Sequence, residues 1–266
     1  MKIVAVQGGL GNQLFCLGFA HSLLALSGDE VALDVGGYPR DRYGHAFLLG
    51  ELAATMGMSI STRRRAGRRL FAAAARRLPV PGHVAEGAPP TDAAALARMS
   101  RRGVYFSGYW QDEHYIIQPE AVRREVRAFL DRRAGVARQH DLLIHYRTYK
   151  DELRVSRRGE PGPGFVQRAL EAIEDRRGPV ADIVLISDDP ALAIERLGDL
   201  RRRITSVGAG DAAADMGLML HARSLILGNS SFSWWGGYCG DADTVIYPTR
   251  GGLYHYPTPA SRFICV

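Results

Sequence analysis

Cysteine is scarce in this chain of 266 residues: Cys16, Cys239 and Cys265 are scattered, odd in number and form no CxxC pair. That excludes a disulfide framework and a structural zinc site built on cysteine. No histidine pair stands at metal-ligand spacing either, so no metal is expected. Long apolar runs are also missing. Beyond the N-terminal region nothing approaches the roughly 18 uncharged apolar residues that cross a bilayer. At the N-terminus, Lys2 and the apolar stretch behind it imitate a secretion signal. Gln7 and the block Gly8-Gly9-Leu10-Gly11-Asn12-Gln13 interrupt it, and no small-residue cleavage pattern follows. The expectation is a soluble, cytoplasmic protein.

What is there is ordinary globular material, 46% hydrophobic and 23% charged. The formal charge of +6 arises from arginine and suits an anionic partner: a sugar nucleotide, a nucleic acid or a membrane surface. Arg63–Arg77 concentrates that charge with alanines and only Phe71 as an interleaved aromatic, so a solvated helix or loop is the default reading. Nucleic acid is not expected as a partner, and peripheral contact with the inner face of a membrane stays open through this stretch.

The length suits two domains of about 120–140 residues. Lys2–Val6 reads as a strand, Gly8–Gly11 as a turn, and Leu14, Phe15, Gly18, Phe19, Ser22, Leu23 and Leu26 recur at helical spacing. Val31–Val35 and Val104–Tyr109 predict further strands, Glu120–Leu130 a helix, and Pro79–Pro90 a loop. A second series follows: strand 141–147, helix Phe165–Glu174, strand 182–188, helix Met216–His221, then strands Leu225–Leu227 and Thr244–Tyr247. Strands alternating with helices twice over predict two Rossmann-type α/β domains facing each other across a cleft, 1–138 and 139–266. No sequence repeat marks the duplication.

The densest signal is Leu227-Gly228-Asn229-Ser230-Ser231-Phe232-Ser233-Trp234-Trp235-Gly236. Small polar residues at a strand-to-helix junction leave backbone N–H groups pointing outward, a ready anion site. Adjacent tryptophans are costly on a surface, so at least one is expected beneath the junction. His145 and Arg147 alternate at the end of a strand and project to one face. An arginine there can fork two donors onto a phosphate and stabilise a leaving diphosphate. Asp188 and Asp189 precede Pro190 and read as a helix N-cap with a solvated neighbour. Asp241-Ala242-Asp243 imitates a metal-binding triplet but comes before a strand, so it reads as a turn.

The Gly-rich turn at Gly9 and Gly11 also admits a dinucleotide reading, with Asp34 as the ribose acid, although Leu14 stands where a third small residue would be needed. An NAD(P)-dependent oxidoreductase, or a non-catalytic nucleotide-binding protein, is the alternative class.

In this order the motifs resemble those of the α-1,2-fucosyltransferases of glycosyltransferase family eleven and, more distantly, the α-1,6- and protein O-fucosyltransferases. The resemblance rests on Gly8-Gly9-Leu10-Gly11-Asn12-Gln13-Leu14-Phe15, Ser107-Gly108-Tyr109-Trp110-Gln111, His145-Tyr146-Arg147, Ser187-Asp188-Asp189-Pro190 and the Asn229–Gly236 block. It implies a GT-B architecture, inversion at the anomeric carbon, no metal and no cofactor beyond a GDP-sugar co-substrate. Donor contacts would come from Gly9, Gly11, His145, Arg147, Asp215, Asn229, Ser230, Ser231 and Phe232, with His145 and Asp215 on the guanine. Asn12 would line the reaction centre, and Trp110 and Gln111 the acceptor side. The acceptor is expected to be a carbohydrate or a glycosylated small molecule. Thr148 stands where the family has a second arginine, and the acidic position moves to Asp151. Asp151 and Glu152 are the candidates for a catalytic base.

Overall fold

The β-branched run at the N-terminus forms strand β1 (Lys2–Ala5), which pairs in parallel with β2 (Val31–Asp34) on one side and β5 (Tyr105–Ser107) on the other. Edge strands β3 (Ser59–Ser61) and β4 (His83–Ala85) complete a sheet of order β3-β2-β1-β5-β4. The computed structural model describes residues 1–40, 44–62, 81–135, 139–148, 162–208, 210–248 and 262–265. Arg63–Arg77, together with Lys150, Asp151 and Glu152, lies outside the described residues.

Helix α1 (Leu10–Ser27) follows β1 and ends on Gly28, whose positive φ of 65° lets its N–H reach back to the carbonyl of Leu24. By length and composition α1 could cross a membrane, but 67% of it is buried within the protein, where it packs on β1 and β2. Short helix α2 (Gly50–Thr55) and helix α3 (Ala93–Arg102) follow. Lys2 is buried, and its ammonium donates to the carbonyls of Ser100 and Gly103 at the end of α3. The residue that imitates a signal-peptide charge is thus a helix C-cap partner.

Helix α4 (Pro119–Ala134) carries the chain into the second series. Packing divides the protein into two units, Met1–Val126 and Arg127–Val266. The division falls ahead of the 138/139 boundary read from the sequence. The later half of α4 is tied to the second unit: Arg127 pairs with Asp241 at 2.5 Å, and Asp131 with His221 at 2.6 Å.

The second unit holds β6 (His140–His145), β7 (Ile183–Ile186), β8 (Ile204–Val207), β9 (Ala222–Ile226), β10 (Thr244–Tyr247) and β11 (Phe263–Cys265). Its helices are α5 (Pro163–Arg177), α6 (Pro190–Arg196), α7 (Ala212–Leu220) and α8 (Ser231–Cys239). All strand pairs are parallel, in the order β8-β7-β6-β9-β10-β11. Numbered from its own first strand, that is 3-2-1-4-5-6, the doubly wound dinucleotide-binding order. Leu142, Ile144 and Leu185 pack into a core with α5 on one face, and Leu143, Val184 and Leu225 into a core with Met219 on the other. Burial on both faces explains why these strands read as continuous apolar runs.

In such sheets ligands bind beyond the carboxyl ends of the strands, at the point where the strand order reverses. That point lies between β1 and β5 in the first unit and between β6 and β9 in the second.

Candidate functional site

At the second unit's switch point, the segment after β9 turns at Gly228 and enters α8 through Ser230. Ser230 is the N-cap: its hydroxyl accepts the Phe232 N–H at 3.3 Å, and its own N–H donates to the Gly228 carbonyl. Asn229 is buried, while Ser230, Ser231 and Phe232 are partly exposed. Both tryptophans are buried beneath the junction. Trp234 meets Trp235 edge-on at 5.0 Å and stacks on Tyr238 at 4.4 Å. Gly236 lies against Met219 of α7 with no room for a side chain, so α7 and α8 pack closely. The result is a closely packed helix start at the carboxyl edge of the sheet, where a helix N-terminus favours an anion.

His145 closes β6 across the switch point from that junction. It is 3% exposed, shares a short hydrogen bond between its Nδ1 and the Ser233 hydroxyl, and stacks on Phe232 at 5.1 Å. Burial, reinforced by the Arg147 charge, pushes its pKa down to about 3, with Asp188 opposing in part. The ring is therefore neutral near pH 7. The guanine contact expected of His145 meets an enclosed ring whose Nδ1 is already engaged. Its visible role is to bind the end of β6 to the first turn of α8.

Arg147 is a third exposed, with its Nε 4.0 Å from a carboxylate oxygen of Asp188. Thr148 is fully buried and donates to the other oxygen of Asp188 through its N–H at 2.8 Å and its hydroxyl at 3.0 Å. Its carbonyl accepts from Arg196 at 2.7 Å. Desolvation would raise the Asp188 pKa, but the Thr148 bonds and the Arg147 charge outweigh it and hold the carboxyl below its usual range. Asp189 is the N-cap of α6, as its place before Pro190 predicts. Asp188 is the exposed neighbour expected of it, but its carboxylate is engaged and anchors the strand end that carries Arg147.

Asp215 lies in the first turn of α7, 6% exposed, and accepts the Gly210 N–H at 3.2 Å. A side chain at Gly208 would collide with its carboxylate, so Asp215 sits directly against the loop that follows β8. Asp241 pairs with Arg127, and Asp243 with Arg223 at 3.7 Å, in the turn before β10. Among the described residues, no group of three or more His, Cys, Asp or Glu side chains is gathered for a metal.

The first unit's switch point has a different character. Gly8 takes a φ of 79°, Gly9 caps α1, and Gly11 is buried within the helix. Gln13 staples the neighbouring loop, donating to the carbonyls of Gly8 and Ala46 and accepting the Leu48 N–H. Asn12 in the first turn of α1 accepts a 2.6 Å hydrogen bond from the Gln111 side chain beyond β5. Trp110, expected on the acceptor side, is fully buried instead. It stacks on Phe19 at 4.0 Å and meets Tyr115 edge-on at 5.2 Å. Its φ of 57° is an outlier for a bulky residue and costs on the order of 1–3 kcal/mol. Tyr109 is the exposed ring of this motif, at 39%. Asp34, the ribose acid of the oxidoreductase alternative, accepts the Gly36 N–H at 3.1 Å and the Tyr105 hydroxyl at 3.4 Å. Leu14 is fully buried. Neither observation favours a nicotinamide site.

The chain matches no family model and no curated protein sequence. In structure it is similar to NodZ α-1,6-fucosyltransferase in crystals soaked with GDP-fucose, at 15% identity and a TM-score of 0.53, over 94% of this chain and 96% of that one. The selenomethionine form of fucosyltransferase NodZ from Bradyrhizobium gives 14% identity and a TM-score of 0.53 over the same shares. The E. coli heptosyltransferase WaaC with ADP gives 12% identity and a TM-score of 0.51, over 100% of this chain and 92% of that one. The fold is that of the GT-B glycosyltransferases. Among the solved structures that share it are fucosyltransferases and heptosyltransferases.

Proposed function

We propose that the protein is an inverting glycosyltransferase. It moves a hexose-like sugar, L-fucose, from a GDP carrier to a hydroxyl of a glycan or glycosylated natural product. One observation carries the reading: β6 and β9, the strands flanking the second switch point, bring Arg147 and the Asn229–Phe232 helix start to the same sheet edge. The barrier to transfer is charge build-up on the leaving diphosphate and on an oxocarbenium-like sugar. Preorganised donors aimed at that charge supply the largest catalytic contribution. Arg147 offers a planar fork to the diphosphate, and the Ser230–Phe232 junction offers the positive end of α8 and two hydroxyls. Asp188 and Thr148 hold the strand end from which Arg147 projects. The acceptor proton leaves late, through the departing diphosphate, or to Asp151 or Glu152.

The NodZ crystals soaked with GDP-fucose support GDP as carrier, together with the sequence resemblance. The likeness to WaaC with ADP favours an ADP-sugar as the second reading. Thermal stabilisation by GDP, ADP, UDP and NAD separates them, because a ligand held only by the folded state adds about 2.7 kcal/mol at a hundred times its Kd. GDP is expected to give the largest shift. A larger ADP shift selects the second reading, a larger NAD shift the oxidoreductase, and equal GDP and UDP shifts contradict the guanine assignment.

A further inference from the structure

Glu86 follows β4 among glycine, alanine and proline residues, with nothing in its sequence surroundings to mark it. In the fold its carboxylate reaches the end of β5 and accepts two backbone N–H groups. Tyr109 donates to one oxygen at 2.6 Å, and Gln111 to the other at 3.1 Å. Between them stands Trp110 in the left-handed region. A bulky residue stays in that region only where its surroundings over-determine it. Here the core fixes the ring from inside, and one carboxylate fixes both flanking amides from outside. Gly108 belongs to the same device, since a side chain there would run into the Glu86 carboxylate.

The turn directs its other side chains to the sheet edge. The Tyr109 ring is exposed, and the Gln111 amide reaches Asn12. Asn12 and Gln111 follow β1 and β5, the strands that flank the first switch point. Hydrogen bonds to a charged acceptor are roughly twice as strong as neutral ones, which suits a clamp better than a chance contact.

We propose that Glu86 is a positioning residue for the acceptor. By clamping the Tyr109–Gln111 turn, it presents the Gln111 and Asn12 amides and the Tyr109 ring as one surface for a hydroxyl-bearing sugar. The amides match ring hydroxyls, and the phenol ring covers the apolar face of a pyranose. The inference rests on the glycosyltransferase reading, but the clamp can be tested apart from it.

The test compares wild type with Glu86→Gln and Glu86→Asp. Three quantities are read: amide exchange at Tyr109 and Gln111, hydrolysis of GDP-fucose by water, and KM for whichever of a panel of methyl hexopyranosides the wild type turns over fastest. Glu86→Gln turns an amide NH₂ toward one of the backbone donors, so exchange at the two amides is expected to accelerate roughly tenfold. Acceptor KM is expected to rise by a similar factor, about tenfold, with donor hydrolysis and the GDP-induced melting shift changed by less than about twofold. Glu86→Asp, which keeps the charge on a shorter arm, recovers part of the loss. Unchanged exchange and KM in a folded Glu86→Gln protein would overturn the proposal. So would a fall in donor hydrolysis parallel to the fall in transfer, which would make Glu86 a general support of the fold. If the wild type neither hydrolyses nor transfers from any sugar nucleotide, the glycosyltransferase reading fails and exchange alone decides. Protection of the two amides by the methyl glycosides, lost in Glu86→Gln, would support a sugar-binding clamp, and its absence would refute one.

Discussion

Thr148 donates twice to a single oxygen of Asp188, from its N–H at 2.8 Å and from its hydroxyl at 3.0 Å. The other oxygen lies toward Arg147. The position where the resembling family carries a second arginine is therefore, in this chain, a buried anchor for the carboxylate beside the first.

Restoring that arginine is expected to fail. Thr148→Arg would place a guanidinium where the native side chain is fully buried, at a cost of several kcal/mol. Thr148→Val keeps the backbone bond, loses the hydroxyl bond, and should cost about 1–3 kcal/mol. Urea unfolding checks both. A Thr148→Arg protein as stable as wild type, with improved donor turnover, would show that the site has room for a second phosphate clamp.

His145 gives the protein a pH signature. Its pKa falls from 6.5 to about 3 on folding, mainly by burial. Below the unfolded value, the unfolded chain binds a proton that the folded one refuses. This contribution is thus fully present above about pH 6.5 and is lost as pH falls, at roughly 1.4 kcal/mol per pH unit, until the folded pKa is reached. His21 and His83 are also shifted down by burial and act in the same direction. The check is unfolding free energy against pH for wild type and His145→Gln between pH 4 and 7.5, where the variant should show the shallower slope. Parallel slopes would contradict a neutral buried imidazole.

Metal dependence is a separate matter of charge bookkeeping. Asp241 and Asp243, the pair that imitates a metal motif, are engaged by Arg127 and Arg223. Sugar transfer or donor hydrolysis should persist in excess EDTA. Activity lost to EDTA and restored by Mn²⁺ would return those carboxylates to the ligand role.

Much of the fold is legible because its central strands are buried on both faces. Leu142–Ile144, Ile183–Ile186 and Thr244–Tyr247 announce themselves as apolar runs. The edge strands β3, β4, β8 and β11 do not, because every residue in them is partly or fully exposed. His83–Ala85 falls inside the proline-rich stretch read as a loop. At the second switch point a helix start over at least one buried tryptophan follows from residue chemistry alone, and the fold makes Ser230 the cap and buries both rings. What the sequence could not show is which neighbour in a motif is buried. Trp110 and Tyr109 are both aromatic, and the larger ring, on a left-handed backbone, is the one the fold buries. Asp188 and Glu86 are likewise ordinary acids in sequence, and their roles come from partners 40 and 25 positions away.

The most direct test of the account is release of GDP from saturating GDP-fucose by wild type, Arg147→Ala and Arg147→Lys, with melting temperatures recorded alongside. Losing one preorganised donor to the leaving group is expected to cost about 3–4 kcal/mol, or 10²–10³ in rate, without unfolding the protein. Lysine should not rescue it, because a point charge cannot fork onto two phosphate oxygens. Wild-type turnover with both variants nearly inactive and still folded is the predicted result. An Arg147→Ala protein that keeps more than about a third of wild-type turnover, far outside that expected loss, would contradict the account.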